Sequence, residues 1–132
     1  MPKLISDPMN AFVDSLRRRL AEPLPGREAQ FKMASLRRLQ ELSPHPAPPA
    51  SAQIACVLAL LFRQKNTWHT VLIERTANPR DRHSGQVSFP GGRWEATDGA
   101  LANVALREAE EEVGVPAREV EILGQLTDLY IP

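Results

Sequence analysis

Apolar residues recur at intervals of four near the N-terminus, at Phe12, Leu16 and Leu20, and helical spacing returns with Phe31, Leu36 and Leu39 after Pro25-Gly26. Such spacing stacks side chains on one face and predicts two helical stretches. The pattern breaks in Ser43-Pro44-His45-Pro46-Ala47-Pro48-Pro49-Ala50, where prolines lack amide donors and favour extended backbone, so a linker or surface strap is expected. Beyond it the texture turns to strand. The nearly continuous apolar run within Ala52 to Arg63 predicts a central strand covered on both faces. Lys65-Asn66 marks a turn, and a second strand is expected from about Thr70 to Thr76. A polar loop from Ala77 to Gly85 leads to a short strand at Gln86 to Phe89 and then to a glycine turn at Gly91-Gly92. Asp98 is placed to cap a helix reaching about Val113, Gly114 is placed to end it in the left-handed conformation, and a last strand is expected from Val120 to Leu126. No internal repeat is visible. The order predicts an α/β or α+β arrangement of sheet and helix layers over residues 51–132, preceded by a helical extension and Pro-rich linker over residues 1–50.

Composition sharpens this picture mainly by exclusion. The 132 residues fit one domain by the usual prior of about 100 to 200 residues, and 42% hydrophobic residues can build a modest core. Sixteen basic residues balance sixteen acidic ones, so no bulk field draws the chain to nucleic acid or an anionic membrane. The clusters Arg17-Arg18-Arg19 and Arg37-Arg38 have no interleaved aromatics and read as solvated helix faces. The longest apolar run falls far short of the ~20 residues that span a bilayer, and no secretory segment stands at the N-terminus, so a cytoplasmic or organelle-matrix location is expected. The single cysteine, Cys56, reads as a structural thiol within a strand.

The acidic helix changes the picture most. On a wheel turning about 100° per residue, Leu101, Val104, Ala105, Ala109 and Val113 form the apolar sector. Glu108 and Glu112 fall inside or beside that sector and Glu111 at its edge, whereas Asn103, Arg107 and Glu110 point the other way. Carboxylates gathered against apolar surface lose hydration and repel one another unless cations offset both costs. Mg²⁺ or Mn²⁺ prefer such oxygens, and spacings of three and four bring Glu108, Glu111 and Glu112 towards one focus. Arg107, four residues before Glu111, is placed to orient it by an ion pair. Gly91-Gly92 adds a backbone that a metal or phosphate can approach closely. An ordinary solvated acidic helix is the alternative for the glutamates alone.

The run Arg107-Glu108-Ala109-Glu110-Glu111-Glu112-Val113-Gly114-Val115 resembles the second half of the signature of the Nudix hydrolase family. That signature reads glycine, five residues, glutamate, seven residues, then Arg-Glu-aliphatic-any-Glu-Glu-any-Gly-aliphatic. The first half departs from it, because fourteen residues, Arg93 to Leu106, separate Gly92 from Arg107 where the standard box has thirteen. Allowing one extra residue puts Asp98 in the place of the outlying glutamate, with Glu95 as another candidate. Upstream, Leu72 to Ala77 and Arg80-Asp81-Arg82-His83-Ser84-Gly85-Gln86-Val87-Ser88-Phe89-Pro90-Gly91-Gly92 resemble the further signature of the coenzyme A diphosphatase branch, although that branch usually has arginine where Asp81 stands. The resemblance implies an α/β/α sandwich with a mixed sheet. It also implies more strands and a second helix beyond Pro132, so a C-terminally truncated domain is expected.

For function, the resemblance implies metal-dependent hydrolysis of a diphosphate in a nucleoside diphosphate derivative, with coenzyme A or an acyl-coenzyme A as the leading substrate. It also implies Glu108, Glu111 and Glu112 with the Gly92 carbonyl as ligands for Mg²⁺ or Mn²⁺, and Glu108 as ligand and general base together. Arg75, Arg80, Arg82 and His83 are candidates for binding phosphate, since guanidinium matches phosphate oxygens in bidentate geometry, with Gly91 and Gly92 lending their backbone. A solvated charged loop is the alternative for these four. His83 could donate a proton to a leaving phosphate or hold a structural hydrogen bond. Trp94 could stack on a base or cover the edge of the core, and Tyr130 is equally open. No role is assigned to His45 or His69. Other substrates, a nucleoside triphosphate or a dinucleotide, and a non-catalytic binding module or fragment are the competing readings.

Overall fold

The computed structural model describes residues 8–41, 47–80 and 84–131. Arg82, His83 and Asp81 of the polar loop, and His45 of the linker, lie outside the described residues.

Two compact units divide the chain. One comprises the residues up to Ala52 together with Leu123–Pro132. Its helices are α1 (Pro8–Ala21), α2 (Gly26–Phe31) and α3 (Leu36–Glu41). The second apolar stretch is thus two short helices, interrupted between Phe31 and Leu36. The C-terminal residues lie on these helices. The Gln30 side-chain amide donates to the Thr127 carbonyl at 2.9 Å, and Leu20 stands where Gly124 lacks a Cβ. The expected strand from Val120 to Leu126 is absent among the described residues. A 3₁₀ turn at Ala117–Glu119 is followed by irregular backbone that joins no ladder among the described residues.

The other unit, Gln53–Ile122, carries the strands and the acidic helix. Its strands are β1 (Ala55–Val57), β2 (Leu61–Gln64), β3 (Thr67–Thr70), β4 (Ile73–Glu74), β5 (Val87–Ser88) and β6 (Gly91–Arg93), and its helix is α4 (Leu101–Val113). Three antiparallel ladders result, β1 with β6, β2 with β3 and β4 with β5. Helices and strand pairs together make an α/β protein, the class expected, although every pair among the described residues is antiparallel. The apolar run expected to form one buried central strand is instead two strands broken at Leu58 to Leu60. Most of its residues are exposed, so neither face is fully covered. The turn at Lys65-Asn66 does form. Both residues take positive φ, 47° and 62°, which matches the twist of a tight hairpin and aligns Gln64 with Thr67.

Gly91-Gly92, expected as a turn, are instead strand residues, Gly91 opposite Val57 and Gly92 opposite Cys56. The ladder continues at both ends through Leu58 N–H to the Pro90 carbonyl at 2.8 Å and Trp94 N–H to the Ile54 carbonyl at 3.0 Å. Helix α4 lies against β1 and β6. Val104, Ala105 and Ala109 are its buried residues, and with Leu60 and Pro90 they form a small core. Two alanines at the contact let the helix approach the strands closely, so α4 side chains can reach the β6 backbone.

Candidate active site

Helix α4 begins without a side-chain cap. Ala100 is its N-cap residue, and Asp98, expected there, is engaged elsewhere. Gly114 ends the helix at φ 71°, its N–H donating to the Glu110 carbonyl at 3.1 Å, as the sequence predicts. Between these ends the glutamates separate into distinct roles.

Glu108 and Glu112 turn towards the glycine pair. The Glu108 carboxylate occupies the space where a side chain on Gly92 would stand. The Gly91 N–H donates to Glu112 Oε2 at 2.9 Å. Two adjacent glycines on a strand thus receive two carboxylates from one helix, an arrangement any Cβ at Gly92 would displace. Glu111 is more exposed, at 60% of its side chain, and lies 3.6 Å from Arg107 Nη1. Glu110 points away and accepts the Ala117 N–H at 3.4 Å. Among the described residues no three acidic, imidazole or thiol side chains already surround one metal-sized position. In this arrangement the carboxylate charge is offset by Arg107 and by the Gly91 amide.

Arg107 corrects the helical wheel. Placed on the outward face by its angle, it folds inward, with 26% of its side chain exposed. Its Nε donates to Asp98 Oδ1 at 2.7 Å, Nη2 to Asp98 Oδ2 at 3.1 Å and to the Arg93 carbonyl at 3.1 Å, and Nη1 to Glu108 Oε1 at 2.9 Å. Asp98 is the reason, since its side chain is only 3% exposed and an unpaired carboxylate there would be costly. Its Oδ2 also accepts the Glu95 N–H at 2.8 Å. Of the two candidates for the outlying carboxylate, Asp98 meets Arg107 with its side chain, whereas Glu95 contributes its backbone. The Arg107 hydrogen bonds and the Glu95 amide hold the Asp98 carboxyl below the usual carboxylate range, against a smaller opposing effect of burial. Arg107 is pushed upward, first by Asp98 and then by Glu108, and stays charged. Its forked contacts fix the Glu108 carboxylate against Gly92. The supporting parts not anticipated from sequence are the Arg93 carbonyl and the Asn103 side chain, whose amide donates to the Asp98 carbonyl at 2.8 Å. Backbone acceptors of this kind leave no residue-type signal.

Of the remaining candidates, Arg75 is held on a different ladder. Arg75 follows β4, its N–H donating to the Gln86 carbonyl and its carbonyl accepting the Gly85 N–H, both at 3.0 Å. Arg80 is exposed, its N–H donating to Asn78 Oδ1 at 3.0 Å. An open groove of about 360 Å³, lined by Asn103, Leu106, Arg107, Glu110, Glu111 and Ala117, runs along another side of α4. It does not include the glycine pair, and the carboxylate contacts at Gly91 and Gly92 mark the candidate site better than this shallow hollow does.

The helix thus presents two glutamates to a glycine strand, steadied by an arginine–aspartate pair. A model of the NUDIX domain matches residues 52–132. The chain is 39% identical over 92 residues to the uncharacterized Nudix hydrolase NudL of Yersinia enterocolitica, covering 70% of this chain and 46% of that protein. It is 42% identical over 92 residues to a protein of the same description from Klebsiella aerogenes, covering 69% of this chain and 75% of the relative. With one from Yersinia pestis it shares 50% identity over 60 residues, 30% of that protein. This chain belongs to the Nudix family. It spans about half or less of the Yersinia relatives it matches. Among the described residues no helix is long and apolar enough to cross a membrane.

Proposed function

We propose that this protein hydrolyses a diphosphate linkage in a nucleoside diphosphate derivative, with coenzyme A or an acyl-coenzyme A as the leading substrate and Mg²⁺ or Mn²⁺ as the metal. The observation that carries the reading is the pairing of Glu108 with Gly92 and of Glu112 with Gly91. Carboxylate oxygens are the donors hard divalent cations prefer, and the missing Cβ at Gly92 admits the Glu108 carboxylate beside the backbone. Glu108, Glu112 and Glu111, with the Gly92 carbonyl, are the residues that would hold it. When bound, a divalent metal screens charge on the diphosphate oxygens and acidifies water.

The chain's own residues do the rest. Glu108, held by Arg107 Nη1, is oriented to accept the proton of the attacking water as general base. Its duties as ligand and base both depend on the same fixed carboxylate. Arg107, backed by Asp98, positions Glu108 and does not itself need to touch substrate. Arg75 and Arg80, with Arg82 and His83, are the groups to engage the outer phosphates. The coenzyme A branch is favoured by the run Arg80 to Gly92 and by the longer spacing between Gly92 and Arg107. A small nucleotide substrate suits a cytoplasmic or organelle-matrix protein.

The test is a panel of coenzyme A, nucleotide sugars, dinucleotides and nucleoside triphosphates, incubated with and without Mg²⁺ or Mn²⁺. Metal-dependent cleavage of coenzyme A alone supports the branch; cleavage of another member reassigns the substrate. Glu108→Gln should abolish turnover while the far-ultraviolet dichroism stays native. Near-normal turnover in that variant would remove Glu108 from the mechanism.

A further inference from the structure

The segment joining β6 to α4 absorbs the residue by which this chain's motif exceeds the family spacing, and it is closely tied. The Asp98 N–H donates to the Glu95 carbonyl at 2.9 Å, and Asp98 Oδ2 accepts the Glu95 N–H at 2.8 Å. The Trp94 indole N–H donates to the Gly99 carbonyl at 3.2 Å. Gly99 adopts φ 68°, a conformation that glycine takes without strain. Arg107 in turn grips Asp98 with two nitrogens. The segment is thus a fixed mount, and what it mounts is an indole whose polar edge is engaged while 42% of the residue stays exposed.

Its direction follows from the strand. Trp94 continues the β1–β6 ladder through its N–H bond to Ile54, so alternation sends its side chain to the same face as Gly92. On that face stands the Glu108 carboxylate. Two strand residues, roughly 7 Å, separate the two positions.

We infer that Trp94 is a stacking platform for the base of a nucleoside diphosphate whose phosphates lie at Gly91, Gly92 and the α4 carboxylates. This rests on the diphosphatase reading above. A flat ring with its donor satisfied and surface exposed suits base stacking, which uses the π face and tolerates any base. Because the indole is already held, little freedom is lost on binding. A ring that only covered the core edge would be expected to bury more of itself.

The test compares the affinities of Mg²⁺-ADP and Mg²⁺-pyrophosphate for the full chain, by titration calorimetry, in the unmodified protein, Trp94→Phe and Trp94→Leu. The unmodified chain should hold ADP more tightly than pyrophosphate. Trp94→Leu should weaken ADP by roughly tenfold or more and leave pyrophosphate unchanged, while Trp94→Phe keeps most of the preference. If Trp94→Leu does not fold, fluorescence of the Trp68→Phe chain, whose one indole is Trp94, reads the same contact by quenching with ADP and not with pyrophosphate. Equal ADP affinity in the Leu variant and the unmodified chain, or absence of that selective quenching, overturns the inference. Failure of the unmodified chain both to bind either ligand and to cleave any diphosphate overturns the diphosphatase reading instead.

Discussion

Gly91 and Gly92 are neighbours, yet the atoms standing where each lacks a Cβ are of different kinds. Beside Gly91 the two nearest are the Cys56 carbonyl oxygen and Val57 Cα, both backbone, followed by Val57 Cγ1; beside Gly92 they are the flexible end of Glu108. Gly91→Ala must push β1 from β6 and is expected to destabilise by roughly 2 kcal/mol, read as a lowered melting temperature. Gly92→Ala needs only a swing of Glu108, so it should melt close to the unmodified protein while binding Mn²⁺ much more weakly in calorimetry. Unaltered Mn²⁺ affinity in Gly92→Ala would separate Glu108 from metal binding. Asp98 offers a second residue-scale prediction. Its folded carboxyl titrates below the ordinary range because Arg107 and the Glu95 amide favour the charged form. The stability it contributes is therefore present above the unfolded value, about 4, and is lost as pH falls through the lower folded value. Arg107 shifts upward, so its contribution is complete below its unfolded value and does not vary in the same window. The stability difference between the unmodified protein and Asp98→Asn should be flat near neutrality and shrink below about pH 4 in denaturant melts. A difference that stays constant down to acid would show that the pair carries no linked stability.

At the scale of elements, α4 is where sequence and structure agree most closely. Val104, Ala105 and Ala109 are buried where the helical period puts them, and Gly114 closes the helix at positive φ. Val104→Ala, at a fully buried position, is expected to cost about 2 kcal/mol through lost transfer and a residual cavity. Gly114→Ala should cost about 1 kcal/mol, because a Cβ disfavours φ 71°. Equal stability in the second variant would mean that the helix can end one residue earlier. The strands were far less legible. An apolar run such as Ile54 to Phe62 records hydrophobicity, but whether it pairs depends on which partner reaches it; here pairing stops at Leu58 to Leu60 and resumes in a hairpin. Gly91-Gly92 read as a turn because glycine is weak in strands, yet their missing side chains are what let β6 lie under the α4 carboxylates. Arg107 was misplaced for a related reason: a wheel fixes where a side chain leaves the helix, and a long guanidinium then follows its partner, here the buried Asp98. Spacing put Glu108 and Glu112, one turn apart, on the side that meets the glycine pair, whereas Glu111, expected at the same focus, stays largely exposed.

For the whole molecule, sixteen positive and sixteen negative charges cancel, so affinity for a phosphorylated ligand must come from local groups and not from the overall field. Metal binding is readable in global stability. An ion that binds only the folded chain stabilises it by about 2.7 kcal/mol at a hundredfold excess over its dissociation constant. Mn²⁺ should accordingly raise the melting temperature, and a chelator should reverse the rise. Glu108→Gln and Glu112→Gln should each suppress most of that increment, since both carboxylates meet the glycine pair. Glu110→Gln should leave it intact, because Glu110 faces the Ala117 amide on another side of the helix. This comparison holds the formal charge change constant at minus one carboxylate in all three variants, so a loose electrostatic attraction of Mn²⁺ to an acidic helix predicts equal losses, whereas a site at Gly91 and Gly92 predicts unequal ones. Thermal melts of the four proteins at matched metal concentrations decide between them, and equal losses across the three variants would withdraw the site from the glycine pair.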